Sequence, residues 1–237
     1  VKLPNILPMI LDQVEQEVED EWKPPRSLGS FRASELGDCP RAIQYTIQGL
    51  RGEKIGPELA LLFRDGHLHH NAVRGLLKTI GRVTNEEHHV WKKYEVALHG
   101  RIVSFVLTAT TDGILNGEFV FDIKSINFFS FKHLSKDSIE KDHLGYIYQI
   151  QTYLDVFDKE YGFLLFKDKM TSALKIFWYK RDRKLFQSIL KKMAQIHVAT
   201  ETGKMMKKPF SKSSKECSRC EFRQECWGIP MERRTWS

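Results

Sequence analysis

Three residues of this chain could do chemistry together: Asp112, Asp122 and Lys124. They lie in the stretch T-T-D-G-I-L-N-G-E-F-V-F-D-I-K-S, from Thr110 to Ser125. The dipeptide Asn116-Gly117 favours a two-residue hairpin turn, so the stretch reads as two short strands. Asp112 falls near the end of the first, Asp122 and Lys124 in the second. Side chains of a strand alternate, so Asp122 and Lys124 point the same way. Val120, Phe121 and Ile123 fill in around them, and burying charge in such surroundings is costly. Two carboxylates can hold a hard divalent cation, and a lysine beside them can orient or help activate a water. A salt bridge on a solvated sheet face fits the same three residues equally well.

The tail holds a second set. C-S-R-C-E-F-R-Q-E-C places Cys217, Cys220 and Cys226 at ligand spacing, where a short loop lets successive thiolates converge on one metal centre. The residues between are charged, so these cysteines do not fill a core. A disulfide would leave one thiol over and needs an oxidising compartment. Cys39, in F-R-A-S-E-L-G-D-C-P-R-A-I-Q-Y, is the remaining cysteine. Alone it reads as a small buried hydrophobe. Beside three tail thiols it reads as a fourth ligand, to an iron–sulfur cluster or to zinc, tying the two ends of the chain together.

These residues need a scaffold. The 237-residue chain suits one domain with an appendage, or two small ones. Its formal net charge of +7 permits nucleic acid as a partner without demanding it. No run of ~18 apolar residues marks a membrane span, and no secretory signal is visible, so an intracellular location is expected. The chain begins on Val1 rather than methionine, and its native N-terminus is expected to lie further upstream.

An amphipathic, acidic helix is expected from Asn5 to Trp22, ended by Pro24 and Pro25. Ser34 is the expected cap of a helical turn leading to a helix over Arg41–Gln48. A long helix over Pro57–Ile80 carries G-H-L-H-H-N, with His67 and His70 nearly on one face and His69 elsewhere. Strands follow at His89–Leu98, Ile102–Leu115 and Phe119–Ile126. A loop with Lys132, His133, Lys136 and Lys141 leads to a helix over His143–Phe157, where Gln149 and Tyr153 share a face. Strands at Tyr161–Lys167 and Leu174–Lys180 and a helix over Asp182–Glu201 complete an α/β sandwich with a mixed sheet.

In this order the residues resemble the PD-(D/E)xK nuclease signature in its RecB-like form: Asp112, then Asp122-Ile123-Lys124, then Gln149 and Tyr153, with Gly66 and His70 on an upstream helix. The enclosing cysteines resemble those of its iron–sulfur branch, which includes AddB-type nuclease domains, CRISPR-associated exonucleases of the Cas-four type and the eukaryotic exonuclease five group. The resemblance covers about Ser34 to Trp227. Thr111 stands where the family usually has proline, and Asn71 where it often has glutamate.

The resemblance implies a restriction-endonuclease-like core with a central mixed β-sheet flanked by helices, plus a cysteine-ligated cluster subdomain. The expected division is a helical arm (1–30), the nuclease core (31–205) and the cysteine segment (206–237) completed by Cys39. His70, Asp112, Asp122 and the backbone carbonyl of Ile123 would ligate Mg²⁺ or Mn²⁺. Lys124 would position the attacking water, and Gln149 and Tyr153 would orient Lys124 or touch the phosphate backbone. Cys39, Cys217, Cys220 and Cys226 would hold a [4Fe–4S] cluster, with zinc as the alternative. The implied activity is hydrolysis of DNA from single-stranded ends, 5′→3′; Phe128, Phe129 and Phe131 are available for stacking on bases, although such phenylalanines more often pack in a core. A further reading is an endonuclease or nuclease subunit active only inside a helicase or adaptation complex, with the N-terminal helix as the arm that docks on a helicase or other repair or recombination protein. From another class, a non-catalytic nucleic-acid-binding module with structural zinc remains the competing reading.

Overall fold

The computed structural model describes residues 6–20, 27–53 and 56–229. Helix α1 (Ile6–Asp20) is followed by strand β1 (Ser30–Arg32), a 3₁₀ turn (Ala33–Glu35), α2 (Pro40–Ile47) and the long α3 (Pro57–Ile80). Strands β2 (Val83–Thr84), β3 (His88–Leu98), β4 (Arg101–Thr111), β5 (Gly113–Leu115) and β6 (Phe119–Ile126) come next. Three helices, α4 (Phe128–Lys132), α5 (Lys136–Asp142) and α6 (Leu144–Val156), lead to β7 (Tyr161–Asp168) and β8 (Leu174–Lys180). The chain closes with α7 (Arg183–Glu201), α8 (Lys215–Ser218) and α9 (Arg223–Trp227).

The mixed α/β architecture expected from the element order is present, and the strands form two mixed sheets. One runs β1-β4-β3, with β1 parallel and β3 antiparallel to β4. The other runs β2-β5-β6-β7-β8, antiparallel except for the β6–β7 pair. A parallel pair needs a long crossover, supplied here by α4, α5 and α6. The expected strand over Ile102–Leu115 is divided at Asp112, so that β4 lies in one sheet and β5 in the other.

Sequence pattern explains the layers. Val103, Phe105, Leu107, Ala109 and Thr111 alternate along β4 and are buried, facing α7 and the inter-sheet core. Strand β7 lies between two neighbours and is buried on both faces from Gly162 to Phe166. On one face of the larger sheet, Phe121, Ile123, Phe163 and Leu165 pack on Val73 and Leu77 of α3. On the other, Val120, Leu164 and Phe166 pack on Ile147, Ile150 and Leu154 of α6. Asp122 and Lys124 alternate with Ile123 and so face α6.

The β5–β6 connection has positive φ at both Asn116 (54°) and Gly117 (72°), as the dipeptide predicts. Leu115 pairs with Phe119, however, so the loop holds three residues rather than two. Ser34 lies inside the 3₁₀ turn, and Cys39 rather than Ser34 precedes α2 as its cap residue. Of the expected N-terminal helix, Ile6–Asp20 is helical and pairs Glu17 with Arg64 of α3. Asn5, Trp22, Pro24 and Pro25 lie outside the described residues.

Hydrogen bonds join the region around α2 to the segment after α7. Buried Gln44 of α2 donates to the carbonyl of Lys204 at 2.7 Å and accepts from the N–H of Met206 at 2.8 Å. Lys192 of α7 donates to the carbonyls of Leu36 (2.7 Å) and Asp38 (3.1 Å). The N–H of Glu53 donates to the carbonyl of Glu221 at 2.8 Å.

Candidate active site

Asp112 stands where the chain crosses from one sheet to the other. Gly113 follows at φ +157°, and a Cβ there would lie 2.6 Å from the Phe121 ring, so glycine is required for this approach. Thr111, buried, holds the crossing together. Its hydroxyl lies 3.1 Å from the carbonyl of Phe121 and 3.2 Å from that of Gly113, and accepts from the N–H of Gly113 at 3.2 Å. Where the resembled family usually has proline, this chain has a hydroxyl that binds the neighbouring backbone.

Both carboxylate oxygens of Asp112 are engaged. Oδ2 accepts from the N–H of Ile123 at 2.6 Å, and Oδ1 lies 3.0 Å from Nδ1 of His70. The N–H and C=O of one strand residue point the same way, so the carbonyl of Ile123 faces this edge too. Burial alone would raise the Asp112 pKa, but the hydrogen bond and charge of His70, the Ile123 N–H and the Lys124 charge outweigh it and hold it below the ordinary value.

Asp122 is buried and makes a closed circuit with α6. Lys124 Nζ sits 2.7 Å from Asp122 Oδ2 and donates to Gln149 Oε1 at 2.9 Å. Gln149 Nε2 lies 3.3 Å from Asp122 Oδ1 and donates to the Tyr153 hydroxyl at 2.6 Å, which in turn donates to the carbonyl of Thr110 at 2.7 Å. The spacing of Gln149 and Tyr153 on one helical face is what makes this relay possible. The Lys124 ammonium also lies 5.0 Å above the Tyr146 ring.

Burial and the nearby Asp112 charge push the Asp122 pKa up, against the pull of Lys124. Burial would lower that of Lys124, but Asp122 outweighs it, so the lysine stays protonated. Two neighbouring carboxylates thus have pKa values moved apart, the pattern that divides roles between acids.

Among the described residues, no three His, Cys, Asp or Glu side chains form a ready-made metal cage. The donor chemistry nevertheless fits a divalent cation. Asp112 is held ionised, the His70 ring lies against it, and Asp122 Oδ2 is buried with a cation beside it but no aligned hydrogen bond.

Sequence reasoning missed Arg74, one helical turn after His70. Its guanidinium is buried, 3.7 Å from Asp112 Oδ1 and bonded to Glu87 at 2.9 Å. Its i+4 spacing from His70 was the available signal. His67 and His70 do share a face, with rings 6.3 Å apart, while His69 turns towards Lys167. Of the phenylalanines weighed between stacking and core packing, Phe129 is exposed, whereas Phe131 is buried in the core with Ile139 of α5 and Leu164 and Phe166 of β7.

Cys39, Cys217, Cys220 and Cys226 are free thiols lining one cleft, with Arg41, Tyr45, Phe222 and Trp227. Burial raises the thiol pKa of Cys220 and Cys226, and Cys39 and Cys217 lie near enough to each of the two to add to it. Among the described residues, these cysteines too do not come together as a ready-made metal cage.

The two sheets with their flanking helices define a restriction-endonuclease-like nuclease fold. The chain is similar to the protein SSO0001, with a TM-score of 0.56, 18% identity and coverage of 94% of this chain and 97% of that one. It is also similar to the alkaline exonuclease LHK-Exo from Laribacter hongkongensis (TM-score 0.51, 15% identity, 81% and 93% covered). The same exonuclease in complex with dAMP gives a TM-score of 0.50 at 15% identity, with 74% and 90% covered. No protein-family profile matches the chain, and no curated protein is similar to it in sequence. No helix among the described residues is long and apolar enough to cross a membrane.

Proposed function

We propose that this chain is a metal-dependent deoxyribonuclease of the RecB-like, iron–sulfur branch, hydrolysing phosphodiester bonds in DNA from single-stranded ends in the 5′→3′ direction. The observation that carries the reading is the circuit Asp122–Lys124–Gln149–Tyr153 set against Asp112 and His70. A solvated salt bridge would not need a buried carboxylate, a buried amide and a buried phenol around one lysine. A module that only binds nucleic acid has no use for two carboxylates beside a phosphate. LHK-Exo, which has a similar fold, is an exonuclease that binds dAMP, and this favours DNA as the substrate.

His70, Asp112, Asp122 and the carbonyl of Ile123 would hold Mg²⁺ or Mn²⁺. Such a cation supplies positive charge against the scissile phosphate and acidifies water. Lys124, kept protonated by Asp122, donates rather than accepts: it orients the attacking water and opposes the charge that develops on the phosphate. Gln149 and Tyr153 fix the position of Lys124. The four cysteines would hold a [4Fe–4S] cluster that fastens the tail to α2. Exposed Ile6, Leu7, Met9 and Ile10 favour α1 as a docking arm for a helicase or other recombination protein.

End-labelled linear and covalently closed circular single-stranded DNA, incubated with Mg²⁺, Mn²⁺ or EDTA, tests the reading. Linear strands should be degraded with either metal, circles spared, and EDTA should stop the reaction. Absence of cleavage with both metals would overturn the nuclease; rapid nicking of circles would overturn the requirement for an end.

A further inference from the structure

The carboxyl ends of β6 and β7 carry polar groups that the proposed chemistry leaves unused. Ser125, next to Lys124, pairs in parallel register with Lys167. His69, next to His70, reaches the same place from α3. Lys167 Nζ lies 3.1 Å from His69 Nδ1 and 3.2 Å from Ser172 Oγ. Lys169 follows, and its backbone N–H is fixed to the carbonyl of Ile126 at 2.9 Å.

Two lysines, Lys167 and Lys169, meet one exposed carboxylate here, Asp65, which lies near His69 and Lys169. Asp168, between the two lysines, is turned inward and spends its oxygens on the N–H groups of Met170 (3.0 Å) and Thr171 (3.3 Å) and on the Thr171 hydroxyl. Lys167 thus faces an imidazole nitrogen and a hydroxyl rather than a carboxylate, and an ammonium so placed retains donor capacity for an anion.

The position matters as much as the charge. Lys124 and Lys167 lie on adjacent strands one residue apart in register, about 6 Å between Cα atoms by strand geometry. They face opposite sides of the sheet, so a chain laid across the carboxyl ends of β6 and β7 passes from one to the other. Ligands of open α/β sheets bind at such ends.

We propose that His69, Lys167 and Lys169 form a phosphate subsite that grips the DNA strand beside the scissile bond, an inference that rests on the nuclease reading. The cluster sets which part of the strand is held while the neighbouring bond is cut.

Binding of labelled oligodeoxythymidylate to the full chain in EDTA, followed by fluorescence anisotropy over a salt series, reads the contact directly. Each phosphate contact on single-stranded DNA adds about 0.7 to the log–log salt slope. Lys167→Met should lower the slope by about that amount, and Lys167→Arg should restore it. In cleavage assays Lys167→Met should raise KM about tenfold with kcat unchanged, the signature of lost uniform binding. Substrates ending in 5′-phosphate, 3′-phosphate or hydroxyls separate the sources. An effect confined to one phosphorylated end assigns the subsite to that terminal phosphate; an equal effect on all assigns it to an internal one. Unchanged slope and KM in both Lys167→Met and Lys169→Met would overturn the subsite. A wild-type protein that binds DNA with this salt slope but never cuts it would instead overturn the nuclease reading.

Discussion

The backbone N–H of Ile123 donates to Oδ2 of Asp112 at 2.6 Å, so a carboxylate at the end of one sheet closes the hydrogen-bonding edge of a strand in the other. The β5–β6 ladder stops at Gly113 and Phe121, and the Asp112 side chain takes over where the next backbone partner would stand. Asp112→Asn keeps an acceptor for Ile123 but removes the charge. It should fold like wild type and lose about 10²–10³-fold in cleavage. Asp112→Ala should lose cleavage and also about 1–3 kcal/mol of stability, because it leaves a partly buried N–H unpaired. Denaturant titrations of the two variants separate these effects.

Lys124 and Asp122 neutralise one another inside the protein. Removing only Lys124 strands a buried carboxylate, at a cost of about 3–5 kcal/mol. Lys124→Met should therefore be destabilised and inactive. The double variant Asp122→Asn/Lys124→Met should regain much of the stability and none of the activity. A double variant as unstable as the single one would show that the pair is not coupled as its 2.7 Å contact implies.

Thr111 offers a test of the crossing itself. Thr111→Val keeps the shape and deletes the hydroxyl that bonds to Phe121 and Gly113. A loss of about 1–2 kcal/mol is expected, with cleavage reduced about tenfold as Asp112 loosens. Thr111→Ser should retain both properties.

Acid sensitivity should have a named source. Tyr94 donates to Asp155 Oδ1 at 2.6 Å and Arg181 lies 2.8 Å from Oδ2. Burial opposes ionisation of Asp155, but Tyr94, Arg181 and Lys92 outweigh it and hold its pKa below the ordinary 3.8. A depressed carboxylate pKa contributes stability that is fully present above the unfolded value and is lost as pH falls through the folded one. Tyr94→Phe should cost about 1 kcal/mol at pH 7, and its gap from wild type should close as pH falls below 3.8. Thermal melts across pH 2–7 measure it.

For the cysteine cleft, protein purified without oxygen should be brown and contain iron. Changing Cys39, Cys217, Cys220 or Cys226 to serine should bleach it and lower the melting temperature, since metal binding and folding are coupled. Colourless protein with one zinc per chain would replace the cluster by zinc and leave the nuclease untouched.

The core of the site was legible because its signals are local. Asn116-Gly117 sets the turn, alternation puts Asp122 and Lys124 on one face, and a four-residue spacing aligns Gln149 with Tyr153. The division of the strand at Asp112 was not legible, since apolar residues alternate from Val103 to Ala109 and resume at Ile114 and Leu115, with nothing in between that marks a change of sheet. The Lys167–His69 contact was hidden for another reason: it depends on how α3 lies across the larger sheet, whereas the spacing of Arg74 from His70 puts both on one face but does not tell what that face meets. The short tail helices follow the cysteine cleft rather than any periodicity of their own.

Gln44 gives the order of events during synthesis. Its amide is satisfied only by Lys204 and Met206, about 160 residues later in the chain. While the ribosome is still making the sheets, that side chain has no partner, and the surface that will receive the tail stands open to other chains. Domains that fold as they emerge avoid this interval. This protein must pass through it, so its vulnerable period lasts until the segment through Met206 has emerged, and translation that stalls before Met206 leaves Gln44 without these partners.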